Sequence, residues 1–371
     1  MTQSTRGGRD GFIRPAAADR SVHRAGRPSR SQPKSVAQGR RPTGGRQRGG
    51  AAAGRQSDAA ATMKMPALAA VLLLVVVAVV GVRAIRHRHD LPAAQTSAPS
   101  SQPRPPAASF WVDPQYVAGY QGQLAAYLAG TPGKFGVIGV DLTSGATFGV
   151  NQDETFRAAS VNKLELAVSL YRRAVAHQID LNASTTIAED DIQNYGTGTI
   201  QLQGAGQRYT YRELAQLMIK ESDNTASYVI GKRLGLENVQ TELPAWGLTQ
   251  TSMSDNYTTP RDVATLLSKL ETGALLPASE TAELMDLLQH TAWDDRLQSG
   301  VPPSMPVAHK IGTDVAVFND AALILDQAHP YAVVALSSGG DEGTALPAMA
   351  QISQIFYRFE SGLPAYVRKL Q

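Results

Sequence analysis

The order of apolar and polar positions in the second half of the chain predicts a domain of mixed helices and strands. Apolar residues repeated every three or four positions indicate helices that cover 116–128, start at Ser160, cover 211–219, start near Asp223, start at Pro260 and cover 349–359. Alternating or short continuous apolar runs indicate strands at 135–141, 147–150, 307–312, 315–325 and 331–337. A hairpin first, helices in the middle, and three strands with a helix last predict an α+β fold with a mostly antiparallel sheet.

The helix that starts at Pro260 has the clearest boundary in the sequence. Thr259 precedes it as a candidate N-cap, proline suits the first helical position, and Asp262 suits the third. The apolar face that follows consists of Val263, Leu266, Leu267 and Leu270. We therefore expect a capped, amphipathic helix at this point.

The first 108 residues differ in composition from the rest of the chain. Residues 1–65 are rich in Arg, Gly, Pro, Ser, Gln and Ala, with almost no aromatic or branched apolar residues, which predicts a disordered tail. An uncharged run of 17 residues would span about 25 Å as a helix, which predicts a single transmembrane helix over 66–83. A Pro/Ser/Ala-rich linker over 84–108 then leads to a folded domain at 109–371.

Charge separates the same two parts of the chain. The tail carries 14 Lys and Arg against 3 Asp and Glu, a net charge of +11, while residues 106–371 carry 17 against 28, a net charge of −11. An acidic domain lacks the basic face that nucleic-acid binding needs, so we predict no nucleic-acid partner for it. The basic tail predicts a cytoplasmic N-terminus, a single pass through the cell membrane and a domain outside the cytoplasm. No feature of the tail specifies a partner.

Several kinds of site are excluded by residue content and spacing. The chain has no cysteine, which excludes thiol nucleophiles, disulfides and cysteine-ligated zinc or iron–sulfur sites. Its 7 histidines show no metal-ligand spacing, and neither a phosphate-binding loop nor a G-x-S-x-G nucleophile elbow occurs. We therefore predict a site that uses neither a metal nor a diffusible cofactor.

Three short motifs in the domain combine side chains that suit acyl transfer. They are Ser160-Val161-Asn162-Lys163, Ser222-Asp223-Asn224 and Lys310-Ile311-Gly312-Thr313. Each motif is weak alone, because the tail holds a second S-x-x-K at Ser31–Lys34 and the domain a second S-D-N at Ser254–Asn256. Order along the chain and placement in the predicted elements favour the first three.

Ser160 and Lys163 form a candidate nucleophile and base. A serine hydroxyl needs a nearby base to attack, and positions i and i+3 of a helix share a face, so we expect Lys163 to reach Ser160. Free N–H groups at the start of a helix can stabilise a developing oxyanion. The helix is apolar nearly all round, and burial beside another cation such as Lys310 would lower the pKa of Lys163 toward the neutral form.

In this order the motifs are similar to the signature of the serine β-lactamases and penicillin-binding proteins. The domain resembles the class A β-lactamases over about 110–361, and the stretches GVIGVDLTSGATFGV, TTPRDVATLLSKLETG and NDAALI carry the resemblance beyond the motifs. The resemblance implies a three-layer β-lactamase/D,D-peptidase-like fold, in which helices flank a mostly antiparallel sheet.

The resemblance also implies roles for the motif residues. Ser160 would be the acylated nucleophile, Lys163 its base partner, and Ser222 the group that passes a proton to the leaving nitrogen. The residues implied in substrate binding are Asn224, Lys310, Gly312 and Thr313. Lys310 and Thr313 would meet a substrate carboxylate, and the N–H groups of Ser160 and Thr313 would form the oxyanion hole.

Two departures from the family pattern affect the expected chemistry. Ile311 stands where the family has threonine or serine, so the third motif lacks a hydroxyl. The loop from Trp246 to Pro260 has no glutamate, whereas class A β-lactamases carry in this loop the glutamate that activates the deacylating water. Glu237 and Glu242 lie upstream, on the predicted preceding helix. We therefore expect a β-lactam acyl-enzyme to hydrolyse slowly.

Three functions are compatible with the sequence. The overall match favours a membrane-anchored serine hydrolase that acts on β-lactams or related amides. The missing glutamate and the membrane anchor favour a D,D-peptidase that acts on cell-wall peptides. Ile311 is the one feature that favours a non-catalytic binding protein on the same scaffold.

Overall fold

The computed structural model describes residues 110–370, and this part of the chain forms eleven strands and nine α-helices. The strands are β1 (Phe110–Val112), β2 (Lys134–Asp141), β3 (Thr147–Val150), β4 (Phe156–Arg157), β5 (Ser184–Thr186), β6 (Arg208–Thr210), β7 (Tyr257–Thr258), β8 (Val307–Asp314), β9 (Val317–Ile324), β10 (Tyr331–Ser338) and β11 (Val367–Lys369). The helices are α1 (Pro114–Ala129), α2 (Lys163–Val175), α3 (Ile200–Gln203), α4 (Tyr211–Lys220), α5 (Asn224–Leu234), α6 (Leu236–Glu242), α7 (Pro260–Glu271), α8 (Ala278–Gln289) and α9 (Glu342–Gly362).

A five-stranded antiparallel sheet forms the centre of the domain. Its strands lie in the order β3-β2-β10-β9-β8, which makes β8 an edge strand. β8 and β9 pair without interruption as far as Asp314 and Val317, so Val315 and Ala316 form a two-residue turn. β2 and β3 form the predicted N-terminal hairpin. The sheet thus joins strands from the two ends of the domain through the pairing of β2 with β10.

Helices cover both faces of this sheet. Ala332, Val334 and Leu336 of β10 pack on one face with helices that include α2, α4, α5, α7 and α8. The alternate residues of the same strand, such as Val333, pack on the opposite face with α1 and α9. The result is three layers, which confirms the predicted α+β fold with a mostly antiparallel sheet.

Side-chain caps fix the starts of several helices near the motifs. Oγ1 of Thr259 accepts a hydrogen bond from the N–H of Asp262 at 3.1 Å, as the sequence predicts for α7. Thr210 and Glu213 form a reciprocal capping box at the start of α4. Asp223 caps α5 through a backbone N–H at 2.8 Å. The middle residue of the S-D-N motif therefore has a structural task.

The helix that was predicted to start at Ser160 starts later. Ser160 lies in a 3-10 turn, Ala159–Asn162, and α2 begins at Lys163. Ala159 has a φ of 49°, in the left-handed region that non-glycine residues rarely adopt. This backbone value interrupts a regular helix, so Ser160 sits on a tight turn just before α2.

The structure also differs from prediction at the starts of two elements and at one helix that was not predicted. β9 starts at Val317 instead of 315, because Ala316 has a φ of 53° and belongs to the hairpin turn. α9 starts at Glu342 instead of 349, since its first residues are mostly small and give little apolar periodicity. α8 was not predicted, although Leu284, Leu287 and Leu288 pack on the core.

No helix between residues 110 and 370 is long and apolar enough to cross a membrane. The predicted transmembrane helix over 66–83, the tail over 1–65 and the linker over 84–108 lie outside the described residues. These three assignments stay predictions.

Glu165 of α2 is a buried acid whose carboxylate oxygens have no hydrogen-bond partner among the described residues. Burial raises its pKa to about 8, and the negative charge of Asp262 adds to the effect. In the unfolded chain its pKa is near the ordinary 4.5. The stability that protonated Glu165 contributes to the folded protein is therefore fully present below pH 4.5, and it is lost as the pH rises toward 8.

We expect Glu165→Gln to remove this loss of stability. The free energy of unfolding of the variant should exceed that of the parent by more at pH 8 than at pH 5. The difference between the two excesses should be on the order of 2 kcal/mol. Urea unfolding at the two pH values measures the difference. Glu237→Gln, on an exposed position of α6, is the matched control. The same pH-dependent gain in both variants would contradict the assignment to Glu165.

Candidate functional site

A cleft of about 500 Å³ opens where the turn Ala159–Asn162 meets the end of β8. The predicted site residues that line it are Ser160, Lys163, Asn224 and Thr313. Those buried behind its surface are Ser222, Lys310 and Gly312. The fold therefore brings together three motifs that are 62 and 88 residues apart in the sequence.

Two asparagines hold the turn that carries Ser160. The carbonyl oxygen of Asn256 accepts a hydrogen bond from the N–H of Ala158 at 2.9 Å. The side-chain amide of Asn319, fully buried in β9, donates to the carbonyls of Arg157 at 2.8 Å and Ala158 at 3.1 Å. The turn is thereby fixed to the sheet, and the N–H of Ser160 is fixed with it.

Lys163 lies at the centre of the hydrogen bonds below the cleft. Its Nζ donates to the carbonyl oxygen of Ser222 at 2.6 Å, to Oγ of Ser222 at 3.2 Å and to Oδ1 of Asn224 at 2.8 Å. The sequence predicted a contact of Lys163 with Ser160, and in the structure its hydrogen bonds go to the S-D-N motif instead. Ser160 shares the cleft wall with it.

The surroundings of Lys163 favour its neutral form. Burial lowers its pKa well below the ordinary lysine value, and the positive charge of Lys310 lowers it further. The negative charge of Asp223 opposes this shift in part. A neutral amine can accept a proton, which is what a general base requires. This agrees with the expectation drawn from the apolar sequence around Lys163.

The S-D-N motif is held in a constrained conformation. Ser222 has a φ of 53°, a left-handed value of the kind that recurs at functional sites. Both carboxylate oxygens of Asp223 accept backbone N–H groups, at 2.8 and 2.9 Å. The amide of Asn224 donates to the carbonyl of Tyr195 at 2.9 Å, which directs its oxygen toward Lys163.

The third motif provides a buried cation. Nζ of Lys310 donates to the carbonyl of Ile311 at 3.2 Å. Burial lowers the pKa of Lys310 to about 7, and the positive charge of Arg296 contributes to this decrease. The negative charge of Asp320 acts in the opposite direction.

Arg296 is a site residue that the sequence analysis did not identify. Its guanidinium is buried and donates to Oγ1 of Thr313 at 2.6 Å and to the carbonyls of Gly312 at 2.9 Å and Asn319 at 2.6 Å. It holds the end of β8 and adds positive charge beside the third motif. Arg296 and Asn319 stand outside the three motifs, so spacing offered no signal for either.

Gly312 lets β8 approach the turn that carries Ser160. A Cβ at this position would lie 2.7 Å from the carbonyl oxygen of Ala158 and 3.1 Å from the nitrogen of Ser160. A side chain would push the turn away from the strand, so only glycine fits. The neighbouring Ile311 is buried, and its apolar side chain replaces the hydroxyl of the family pattern.

No glutamate lines the cleft among the described residues, as the loop sequence predicts. The carboxylates that line it are Asp255 and Asp314. Glu237 and Glu242 lie on α6, as predicted, and neither lines the cleft. Glu242 accepts hydrogen bonds from Arg173 at 2.8 Å and from a serine at 3.1 Å instead.

The second S-D-N, Ser254–Asn256, has a place in the site that the sequence did not predict. All three of its residues line the cleft. The side chains of Ser254 and Asp255 bond within their own loop, where Oγ of Ser252 donates to Oδ2 of Asp255 at 2.8 Å. The loop therefore forms part of the cleft wall without joining the hydrogen bonds of Lys163.

The arrangement suits nucleophilic attack on a carbonyl carbon. A hydroxyl, an amine whose surroundings favour its neutral form, and a second hydroxyl lie in or directly below one cleft. Within residues 110–370, no group of three or more His, Asp or Glu residues is placed to hold a metal ion.

A model of the family described as "Beta-lactamase enzyme family" matches residues 120–359. Beta-lactamase SME-1 of Serratia marcescens is 29% identical over 211 residues, which cover 52% of this chain and 71% of that protein. Beta-lactamase 3 of Bacillus cereus is 26% identical over 229 residues, which cover 57% of this chain and 71% of that protein.

Solved structures support the same relationship. A structure of PBP-A has a TM-score of 0.61 and 28% identity, covering 65% of this chain and 95% of that one. A beta-lactamase from Sphaerobacter thermophilus has a TM-score of 0.62 and 25% identity, covering 67% of this chain and 98% of that one. The residues that the family model matches, 120–359, include the central sheet and all the residues that line the cleft.

We expect Lys310→Met to raise the pKa of Lys163. The substitution removes a nearby positive charge that disfavours the ammonium form, so the pKa should move up toward the ordinary lysine value. NMR titration of lysine labelled with carbon-13 at Cε, with the Lys163 signal assigned by substitution, measures the shift. Lys232→Met, which removes an exposed ammonium paired with the buried Asp191 away from the cleft, is the control. An unchanged pKa in Lys310→Met would contradict the electrostatic coupling of the two motifs.

Proposed function

Because the chain belongs to the beta-lactamase enzyme family, we propose that its domain is a serine acyl-transfer enzyme acting on β-lactams or related amides through an ester on Ser160. The observation that carries this proposal is the buried Lys163, held by Ser222 and Asn224 in the cleft that Ser160 lines. Burial of this amine favours the neutral form that can activate a hydroxyl.

Each proton in the proposed reaction has a donor and an acceptor. Oγ of Ser160 attacks the carbonyl carbon, and its proton passes to the neutral Nζ of Lys163. The N–H groups of Ser160 and Thr313 stabilise the negative oxygen that forms. As the C–N bond breaks, Ser222 donates its proton to the leaving nitrogen and takes the one held by Lys163, 3.2 Å away. Lys163 is then neutral again, and the ester remains.

Substrate binding in this proposal uses the polar groups around β8. Lys310, together with Thr313, binds a substrate carboxylate, and the buried Arg296 supports Thr313 through the 2.6 Å hydrogen bond to its hydroxyl. Asn224 binds the substrate amide while it orients Lys163. Gly312 keeps the strand close enough to the nucleophile for both contacts.

A second candidate function is a D,D-peptidase that acts on cell-wall peptides. The lack of a glutamate among the described cleft residues favours it, because no such base is present to activate water against the ester. The similarity to PBP-A agrees with it, and one solved structure of a mutant of that protein is an acyl-enzyme complex with penicillin-G. Both candidates share the ester on Ser160 and differ in how fast it hydrolyses.

We also propose that the protein is anchored in the cell membrane. The predicted transmembrane helix over 66–83 would anchor the chain in the cell membrane, with the basic tail in the cytoplasm and the domain outside. Protease added to intact cells should then digest the domain and leave a protected N-terminal fragment. A domain that resists protease until the cells are opened would contradict this orientation.

We expect the full-length protein to form a covalent adduct with a chromogenic β-lactam. Mass spectrometry should find one acyl group on Ser160, and the adduct should persist because the glutamate is missing. Ser160→Ala should form no adduct, and Ser222→Ala should slow its formation by roughly 10²–10⁴-fold through loss of proton transfer.

Ser31→Ala provides the matched control, since Ser31 begins the other S-x-x-K motif, in the tail. It should react like the parent. Fast colour change without accumulated adduct would support a β-lactamase with efficient hydrolysis, and a stable adduct would support the peptidase. No adduct, with Ser160→Ala indistinguishable from the parent, would contradict the catalytic proposal and leave a binding protein.

A further inference from the structure

An ion pair with partly exposed side chains lines the cleft beside the candidate oxyanion hole. Nε of Arg157 donates to Oδ2 of Asp314 at 2.5 Å, and both residues line the cleft. Their side chains are 39% and 33% exposed. A pair with this exposure contributes about 0–1 kcal/mol to folding, so stability alone does not account for its place in the site.

Along β8, Asp314 lies beyond Thr313 as seen from Lys310. Asp314 directly follows Thr313 on β8, and Arg157 precedes Ser160 by three residues. Lys310 and Asp314 are on the same face of β8, about 13 Å apart at 3.3 Å per residue. The proposed function, on which this inference rests, puts the substrate carboxylate at Lys310. The acyl part of the substrate then extends toward Arg157 and Asp314.

Both members of the pair keep hydrogen-bonding capacity for a ligand. Of the three guanidinium nitrogens of Arg157, only Nε has a hydrogen-bond partner among the described residues, so the two Nη groups are available to a ligand in the cleft. Asp314 accepts from the N–H of Val315 at 2.8 Å and from Arg157, and it retains free lone pairs. The ring of Tyr195, 45% exposed, stands close enough for the charge of Asp314 to act on it.

We propose that Arg157 and Asp314 together recognise an α-amino acid head group, a carboxylate and an ammonium on one carbon, at the end of the substrate's acyl part. A guanidinium fork matches a carboxylate, and the adjacent carboxylate of Asp314 matches the ammonium. A group that carries one charge alone meets a like charge from one member of the pair. The head group carries both signs on neighbouring atoms and avoids that repulsion.

Four penicillins that share one nucleus and a six-carbon side chain test this inference. Their chains end in an α-amino acid (α-aminoadipoyl), a carboxylate (adipoyl), an amine (6-aminohexanoyl) or a methyl group (hexanoyl). The α-aminoadipoyl penicillin is prepared with each enantiomer of that side chain, and the two preparations are measured separately. The second-order rate of ester formation on Ser160 of the full-length protein is measured by mass spectrometry. One α-aminoadipoyl enantiomer should react about tenfold faster than each of the other three penicillins.

Substitution of each member should remove one part of this preference. In Arg157→Gln, the α-aminoadipoyl penicillin should no longer react faster than the 6-aminohexanoyl penicillin. In Asp314→Asn, it should no longer react faster than the adipoyl penicillin. Ratios between penicillins within one variant cancel any general effect on reactivity. Arg261→Gln is the matched control, because Arg261 forms a similar exposed pair with Asp153, 2.5 Å apart, away from the cleft. It should keep the tenfold preference.

The possible results separate this inference from the proposed function. Equal rates for all four penicillins, or a faster reaction with the adipoyl or 6-aminohexanoyl compound, would overturn the inference while the ester on Ser160 stands. A tenfold preference that survives Arg157→Gln and Asp314→Asn would also overturn it. If none of the compounds forms an ester, the proposed function itself fails.

Discussion

The burial of one amine constrains the whole site. Lys163 lies in an apolar helix, and its hydrogen bonds in the described structure go to neutral oxygens of Ser222 and Asn224. A charged ammonium there would be costly, so the surroundings favour the neutral base. The left-handed backbone of Ser222 and the helix cap made by Asp223 support the same arrangement. They hold the oxygens of Ser222 and Asn224 within hydrogen-bonding distance of that amine.

The sheet contributes more than a scaffold for the third motif. Asn319 of β9 binds the carbonyls just before Ser160, while Arg296 binds the carbonyls of Gly312 and Asn319. These two buried side chains join the nucleophile turn to the edge strand that carries Thr313. The geometry of the oxyanion hole therefore depends on residues that would touch no substrate.

The wall of the cleft decides what happens to an ester on Ser160. Where class A β-lactamases carry a glutamate, this chain has the short loop with Ser254–Asn256, and Glu242 is engaged in an ion pair elsewhere. In the proposed reaction, formation of the ester and its hydrolysis therefore depend on different parts of the cleft. Recognition of the acyl part by Arg157 and Asp314 would act while the ester forms and would persist until an acceptor removes the acyl group.

Local sequence was sufficient for most of the fold. Caps such as Thr259 and the alternation in β10 act over a few residues, so helix starts and strand faces could be read directly. The three motifs identified the candidate chemistry for the same reason. Among the exceptions were Ala159 and Ala316, whose left-handed backbones interrupt elements that periodicity alone would continue. The others were α8, which was not predicted, and the early start of α9.

Long-range contacts supplied the rest. Arg296 and Asn319 are single polar residues outside any motif, and their roles arise from strands and turns that meet only after folding. The bonds of Lys163 to the S-D-N motif and the entry of the second S-D-N into the cleft wall have the same origin. Spacing along a chain fixes which residues share a face, but side-chain direction across segments depends on how those faces pack.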